Sequence, residues 1–546
     1  MRDVKRRDFL QSLAGVAVLS ALPHRSMTSD TKGVKPNILF IWTDEQIFGM
    51  LSCEGNKDIQ TPNLDRLARE GVIFNNSFCT YPGCSPSRAT VITGAFQFNH
   101  RLYDNTHPEL GLEGLKPMDG YKITEQYLYD AGYAVGHRGK WHVGTKADWG
   151  KCFTADPGYS ERYSPLWSSR YEEKIRQEYP WDQKTKTGKG GYVQDGNMEP
   201  TKLTESWQKA FGLKGMPDWA IVGELLVPPE ETMEYSIVDD TINFIESHKH
   251  EPWMATLSLS PPHNPWSVPE PYFSRIAKPL MAKMKIEGNR NATDQLTSLA
   301  WRVGQMVDDQ AIKEYMAIYT ALVVMMDDFI GRVLDTLDKN NLTDNTLVVF
   351  TSDHGDMYGL HRNVGKINNN LYNRLYHTPC IIRYPAKIKG GQVVSQPVMH
   401  TDFKPTLLDY AGITLTDTVD GKSLRSLMEG TPVEWRDYHL LEKFMNTQRN
   451  PDHSIKNPED FYYAMGLEDG RYKYIHTRFN NQAKNKRYCG PRFIDLKNDP
   501  YEENNLFEDK AYRQIIKQYH DKLRTVLAGH SFQFLAEYPS DPWAER

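Results

Sequence analysis

The stretch KPNILFIWTDEQ, residues 35–46, decides the fold class. Its centre, Ile38 to Trp42, is a near-continuous apolar run, and it ends in the acidic pair Asp44-Glu45. A strand with one solvated face alternates in polarity. An unbroken run predicts a strand buried on both faces, as in a parallel sheet covered by helices. A helical pattern follows in TPNLDRLAREGVIF, opened by Thr61-Pro62 and closed by Gly71.

The same alternation recurs along the chain. YAVGHRGKW reads as a strand after the helix ITEQYLYDAG, WMATLSLSPPHNPW as a strand leading to His263, and TPCIIRYP as a further strand. NTLVVFTSDHGD reads as a strand leading to Asp353, after a helix over YTALVVMMDDFIGRVLDTLDKNN. The expectation is an α/β fold, with a large mostly parallel central sheet sandwiched by helices. Asp44, Glu45, Lys140, His142, His263, Asp353 and His354 all fall just past the C-terminal end of an apolar run. Open α/β sheets bind ligands at that edge, so four strands delivering polar groups there predict one site.

The 546 residues exceed what one simple core accommodates, and 39% hydrophobic with 25% charged residues is ordinary for a soluble globular chain. A net charge of −5 and no long basic run give no electrostatic support for nucleic-acid binding. The six cysteines, Cys53, Cys79, Cys84, Cys152, Cys380 and Cys489, show no CxxC pair or zinc-type spacing, so stability must come from burial.

The N-terminus MRDVKRRDFLQSLAGVAVLSALPH carries Arg6-Arg7 before an apolar stretch too short to span a bilayer. It reads as a twin-arginine export signal within residues 1–33, and places the mature protein outside the cytoplasm, periplasmic or secreted, without stable membrane insertion. Residues 34–435 are expected to form the main domain, with a Tyr-, Lys- and Gly-rich insertion at about 145–240. From about residue 436, short strand patterns such as FYYAMGLEDGRYKYIHTRF and a charged helix at about 509–527 predict a smaller C-terminal α+β subdomain with a short antiparallel sheet.

Two features carry chemistry. Asp44, Glu45, Asp353 and His354 form a candidate metal set: carboxylates are hard oxygen donors, and adjacent buried acidic residues are unfavourable unless a cation holds them. The histidine is the less typical member for Ca²⁺. The second feature is YPGCSPSRATVITG, residues 81–94, which sets Cys84 between a Pro-Gly turn and a Ser-Pro-Ser-Arg run. By its neighbours alone, Cys84 could be a core residue, half a disulfide, a metal ligand, a nucleophile or a precursor of another group.

CSPSRATVITG resembles the signature of the formylglycine-dependent sulfatases, in the alkaline-phosphatase superfamily, and further motifs follow in that family's order. NILFIWTDEQ is similar to its N-terminal metal strand, GKWHVG to its Lys-x-His segment and SPPHNPW to its Pro-His element. TSDHGDMYGLHRNVGK is similar to its second metal strand with a trailing lysine, and RFIDLKNDPYEENNL to its C-terminal sheet. The resemblance spans about Lys35 to Leu506.

It implies that a formylglycine-generating maturase oxidises Cys84 to formylglycine (3-oxoalanine), whose hydrate attacks sulfur and then expels sulfate as the aldehyde re-forms. It further implies a divalent cation, Ca²⁺ with Mg²⁺ or Mn²⁺ as alternatives, at Asp44, Glu45, Cys84, Asp353 and His354. Arg88 would orient the hydrated aldehyde, Lys140 and Lys366 would hold sulfate oxygens, and His142 would position or deprotonate the diol. His263 would bond the sulfate or protonate the leaving oxygen. Glu45 departs from the second aspartate of many relatives, and His354 from their asparagine.

The expected activity is sulfate-ester hydrolysis, most naturally on a sulfated oligo- or polysaccharide, given the aromatic and basic insertion. Small choline- or aryl-type sulfates, and phosphonate monoesters or phosphodiesters, remain alternatives for the same machinery. A non-catalytic binding protein on the same scaffold is the reading from another class. The oligomeric state is left open.

Overall fold

A computed structural model of the chain describes residues 35–106, 120–144, 168–182, 186–188, 191, 193–194, 199–212, 220–289, 299–366, 371–446, 461–479, 490–530 and 538–543. The expected export signal lies outside the described residues, as does the first part of the expected insertion.

The opening stretch forms strand β1 (Asn37–Asp44), buried at every position. Strands β2 (Val72–Phe74), β3 (Ala134–Gly139), β4 (Trp253–Pro262), β5 (Thr346–Ser352), β6 (Cys380–Arg383) and β7 (Gln392–Val394) complete a seven-stranded sheet in the order β7-β2-β6-β5-β1-β4-β3. β1 pairs in parallel with β5 on one side and β4 on the other, and β4 pairs in parallel with β3. Only β6 runs against the rest, between β5 and β2. The mostly parallel sheet read from the apolar runs is therefore present.

Each face of this sheet carries its own apolar layer, because successive β1 side chains point to opposite sides. Leu39 and Ile41 join a layer that includes the long helix Asp309–Lys339, which is capped by Asp308 accepting from Ala311 N. Ile38, Phe40 and Trp42 join the opposite layer, with helix residues Ala89, Tyr127 and Phe403. Burial on both faces is what an unalternating strand requires.

Within the described part of residues 181–269, six short strands form a second sheet at one side of the main one. At the C-terminal end, β8 (His439–Asn446), β9 (Phe461–Glu468), β10 (Tyr472–Phe479) and β11 (Arg492–Asp495) make an antiparallel sheet, followed by a helix over Arg513–Gly529. Asp402 accepts two hydrogen bonds from the Arg436 guanidinium, at 2.7 and 2.8 Å, just ahead of β8.

One local expectation changes. The apolar ATVITG pattern predicts a helix beginning at about Ala89, whereas the helix spans Cys84–Thr93 and Cys84 is its first residue. Gly83 is extended at the N-cap, and Pro86 falls in the first turn, where its missing N–H forfeits no bond. Gly94, at φ 69°, ends the helix in the left-handed conformation.

Candidate active site

The parallel pairing of β3, β4, β1 and β5 puts four strand ends at one edge, and each delivers a polar residue there. Asp44 closes β1, Asp353 and His354 follow β5, Lys140 follows β3, and His263 follows β4. Glu45, next after β1, takes φ 66°, a left-handed conformation unusual for this residue. Its N–H donates to Asp353 Oδ1 at 3.2 Å, and the next N–H, of Gln46, donates to Ser352 Oγ at 2.9 Å, so the two loops are tied together.

The Cys84–Thr93 helix is buried at all ten positions and aims its N-terminus at this edge. Cys84 Sγ is 3.0 Å from Lys366 Nζ, 3.4 Å from His354 Nε2 and 3.7 Å from Asp44 Oδ1. One turn later Arg88, wholly buried, donates from Nε to Asp353 Oδ2 at 2.8 Å and from NH2 to Asp44 Oδ2 at 3.0 Å. Its NH1 donates to the Lys140 carbonyl and to Ser258 Oγ, at 2.7 and 2.8 Å, and its guanidinium lies 4.5 Å from the Trp42 ring centroid. Lys140 Nζ donates to Asp44 Oδ2 at 2.5 Å. Glu45 takes Lys366 Nζ at 2.6 Å and lies 3.4 Å from His263 Nε2.

Three carboxyls thus face three fixed cations in a nearly dry site, an arrangement tolerable only with close pairing. Burial and the Cys84 sulfur push the Asp44 carboxyl up, but Lys140, His263 and Arg88 together hold it below its ordinary value. Burial and the Asp44 charge raise Asp353 to about 6 against the pull of His354 and Arg88. Burial opposes charge on His354, yet Asp353 and Cys84 raise it to about 9. Burial likewise disfavours the Cys84 thiolate, and Lys140, Lys366, His354 and His142 outweigh it, bringing the thiol well below its usual range. His142 is lowered to about 4, chiefly by burial. The site is built to hold negative charge at the side chain of residue 84.

All ten residues expected from the sequence come together. Asp44, Asp353 and His354 each offer a ligand atom which, with that of Cys84, lies within 4.8 Å of the others. Two carboxylate oxygens and one imidazole nitrogen around the side chain of residue 84 fit a divalent cation. Glu45 falls instead into a second group, with Asp44 and His263. His142 donates from Nε2 to the Thr106 carbonyl, 3.1 Å away, and takes φ 58°.

Sequence reasoning passed over Ser258, Ser87 and His400. Ser258 lies on β4 four residues ahead of its end, and alternation along that strand was the only signal for it. Ser87 Oγ donates to the Asp353 carbonyl at 2.5 Å and lies 3.1 Å from His400 Nδ1, over a sequence separation no pattern reveals.

The carboxylates, lysines and helix N-terminus that meet at the C-terminal edge of the mostly parallel sheet suit hydrolysis of a tetrahedral oxyanion ester, and the family match places the chain among hydrolases of the alkaline-phosphatase superfamily. The sulfatase family model matches residues 36–413, and a model of the C-terminal part of N-sulphoglucosamine sulphohydrolase matches residues 366–528. The chain belongs to the sulfatase family and is a sulfuric ester hydrolase. It is 26% identical to the multifunctional alkaline phosphatase superfamily protein PehA of Trinickia caryophylli, over 93% of this chain and 98% of that one. To N-acetylglucosamine-6-O-sulfatase of Bacteroides thetaiotaomicron it is 27% identical, over 89% of this chain and 85% of the relative. In fold it is similar to the phosphonate monoester hydrolase of Silicibacter pomeroyi, with TM-score 0.71, 22% identity, and coverage of 92% of this chain and 97% of that one. Among the described residues, no helix is long and apolar enough to cross a membrane.

Proposed function

We propose that this chain is an exported sulfatase that removes sulfate from a sulfated carbohydrate, using formylglycine made from Cys84 and a divalent cation, Ca²⁺ in the first instance. The observation that carries the reading is the convergence of Lys366 Nζ, His354 Nε2 and Asp44 Oδ1 on the Cys84 side chain at the start of a buried helix. The sulfur marks where a nucleophilic oxygen on the same carbon would sit.

Asp44, Asp353 and His354 would hold the cation, with Glu45 at its flank. When present, the aldehyde supplies a hydrated nucleophile with a second hydroxyl for sulfate release, and the cation supplies Lewis acidity. The chain's own residues do the rest. Arg88 fixes both aspartates in one orientation. Lys140 and Lys366 offer positive charge to nonbridging oxygens, where it is most useful in the transition state. His263, at 22% exposed against 12% for Lys140 and 16% for Lys366, stands at the solvent side, suited to protonate a departing alcohol. His142, held nearly neutral by burial, can accept a proton from the side chain of residue 84.

The carbohydrate assignment draws on the named substrates of sulfatase relatives, N-acetylglucosamine-6-O-sulfatase and an ulvan-active sulfatase. The Arg6-Arg7 leader supports export. A second reading, turnover of phosphonate monoesters or phosphodiesters, is favoured by the likeness to PehA over nearly all of both chains.

The test combines mass spectrometry of the Cys84 peptide from the native host with initial rates on sulfated oligosaccharides, 4-nitrophenyl sulfate and phosphonate monoesters. An aldehyde at residue 84, sulfate release, and its loss by at least about a thousandfold in Cys84→Ala are expected. Unmodified cysteine in active enzyme overturns the mechanism. Faster turnover of the phosphorus esters installs the second reading.

A further inference from the structure

Two tyrosines on the long helix Asp309–Lys339 reach beneath the site, and no reacting group touches them. Tyr315 and Tyr319 are spaced four apart, so they lie one above the other on a single face, and both are 0% exposed. Tyr319 Oη donates to the Glu45 carbonyl at 2.5 Å and accepts from the Ile47 N–H at 3.0 Å. It thereby closes the turn in which Glu45 holds φ 66°.

Tyr315 Oη donates to Asp356 Oδ1 and accepts from the Gly365 N–H at 3.2 Å, next to Lys366. The segment ahead of Lys366 holds three non-glycine residues, Tyr358, His361 and Arg362, in the left-handed region. Tyr358, Gly359, His361, Arg362 and Gly365 all have positive φ. Such conformations persist only where surroundings over-determine them. The two loops so held deliver Lys366 Nζ to Glu45, at 2.6 Å, and to Cys84 Sγ, at 3.0 Å.

We infer that Tyr315 and Tyr319 are positioning residues that set Lys366 and Glu45, respectively, against the side chain of residue 84. Each hydroxyl acts as donor and acceptor at once, so one oxygen fixes a turn that packing alone would leave free to relax to an ordinary backbone. The buried rings supply the rigid reach, and Trp266 packs edge-on to Tyr315 with centroids 4.6 Å apart. The catalytic part of this inference rests on the sulfatase reading above.

The test uses the full mature enzyme and the variants Tyr319→Phe and Tyr315→Phe, which keep the rings. Each is combined with the loss of the residue it serves, Glu45→Gln or Lys366→Met, and kcat/KM is measured on 4-nitrophenyl sulfate. Each Phe variant is expected to lower kcat/KM about tenfold alone and less than about twofold in the background lacking its served residue. Tyr272→Phe, which removes a hydroxyl that donates to Asp328 of the same helix, is the control, and its effect is expected to multiply with either change.

Hydrogen exchange supplies a readout independent of turnover. The Ile47 amide is expected to exchange at least about tenfold faster in Tyr319→Phe, and the Gly365 amide in Tyr315→Phe. Unchanged exchange at both amides, or effects that multiply fully in the double variants, overturns the inference. Failure of the wild-type chain to hydrolyse any sulfate or phosphonate ester would refute the function, while exchange would still decide whether the two hydroxyls hold the loops.

Discussion

Arg88 separates Asp44 from Asp353, and its role is electrostatic before it is catalytic. Its three nitrogens meet both carboxylates, the Lys140 carbonyl and Ser258 with no exposed atom, a planar match that lysine cannot reproduce. Arg88→Met should leave two buried carboxylates facing each other and lower folding stability by about 3–5 kcal/mol in cation-free buffer, with part of that restored by Ca²⁺. Chemical denaturation with and without the cation checks this. Equal loss in both conditions would mean that Arg88 and the cation do not share the same carboxylates. Cys84 and Arg88 were legible because they sit in one short motif. The support that Ser87, His400, Tyr315 and Tyr319 give was not, since a contact that holds a loop distant in the chain leaves no mark on local sequence.

At the scale of elements, the β3 terminus shows how tightly the edge is built. Gly139 has φ 90°, and a Cβ there would overlap the Ser258 carbonyl oxygen on β4. That same carbonyl accepts from the Lys140 N–H at 3.1 Å. Gly139→Ala must therefore part β3 from β4 directly under Lys140 and Arg88. A stability loss of about 2 kcal/mol or more is expected from the clash and left-handed strain, together with reduced kcat. Thermal melts and initial rates measure the two effects, and a variant with wild-type melting would show that the strand ends give way easily. The Cys84–Thr93 helix makes the complementary point. Its apolar half predicted a helix, but its true start was hidden because SPS reads as a loop and the Gly83 N-cap becomes visible only once the backbone direction is known.

For the whole molecule, burial of ionisable groups other than the ten site residues sets the pH range of stability. Burial lowers His100, His137 and His400 to about 3 and His377 to about 4. Their stabilisation is present above 6.5, the unfolded value, and is lost as pH falls through the folded values. Burial raises Glu125 to about 7 and Glu54 and Glu442 to about 8. Stability from these is full below 4.5 and is lost as pH rises through 7 to 8. Between 4.5 and 6.5 the two sets oppose each other, so the denaturation midpoint, at fixed cation, should be flat there and fall on both sides. Glu442→Gln, at the carboxyl raised to about 8, should shallow the alkaline fall by up to about 1.4 kcal/mol per pH unit. A midpoint that keeps rising to pH 8 would contradict the assignment. The sequence by itself determined the buried parallel sheet and the polar groups at its edge, because apolar runs and strand-end residues are local patterns. Only the tertiary structure decided how Glu45, Lys366 and His263 pair, where the helix bearing Cys84 begins, and which tyrosines hold the loops. Those contacts join residues tens to hundreds of positions apart, and their geometry follows from sheet order and helix packing rather than from any neighbouring residue.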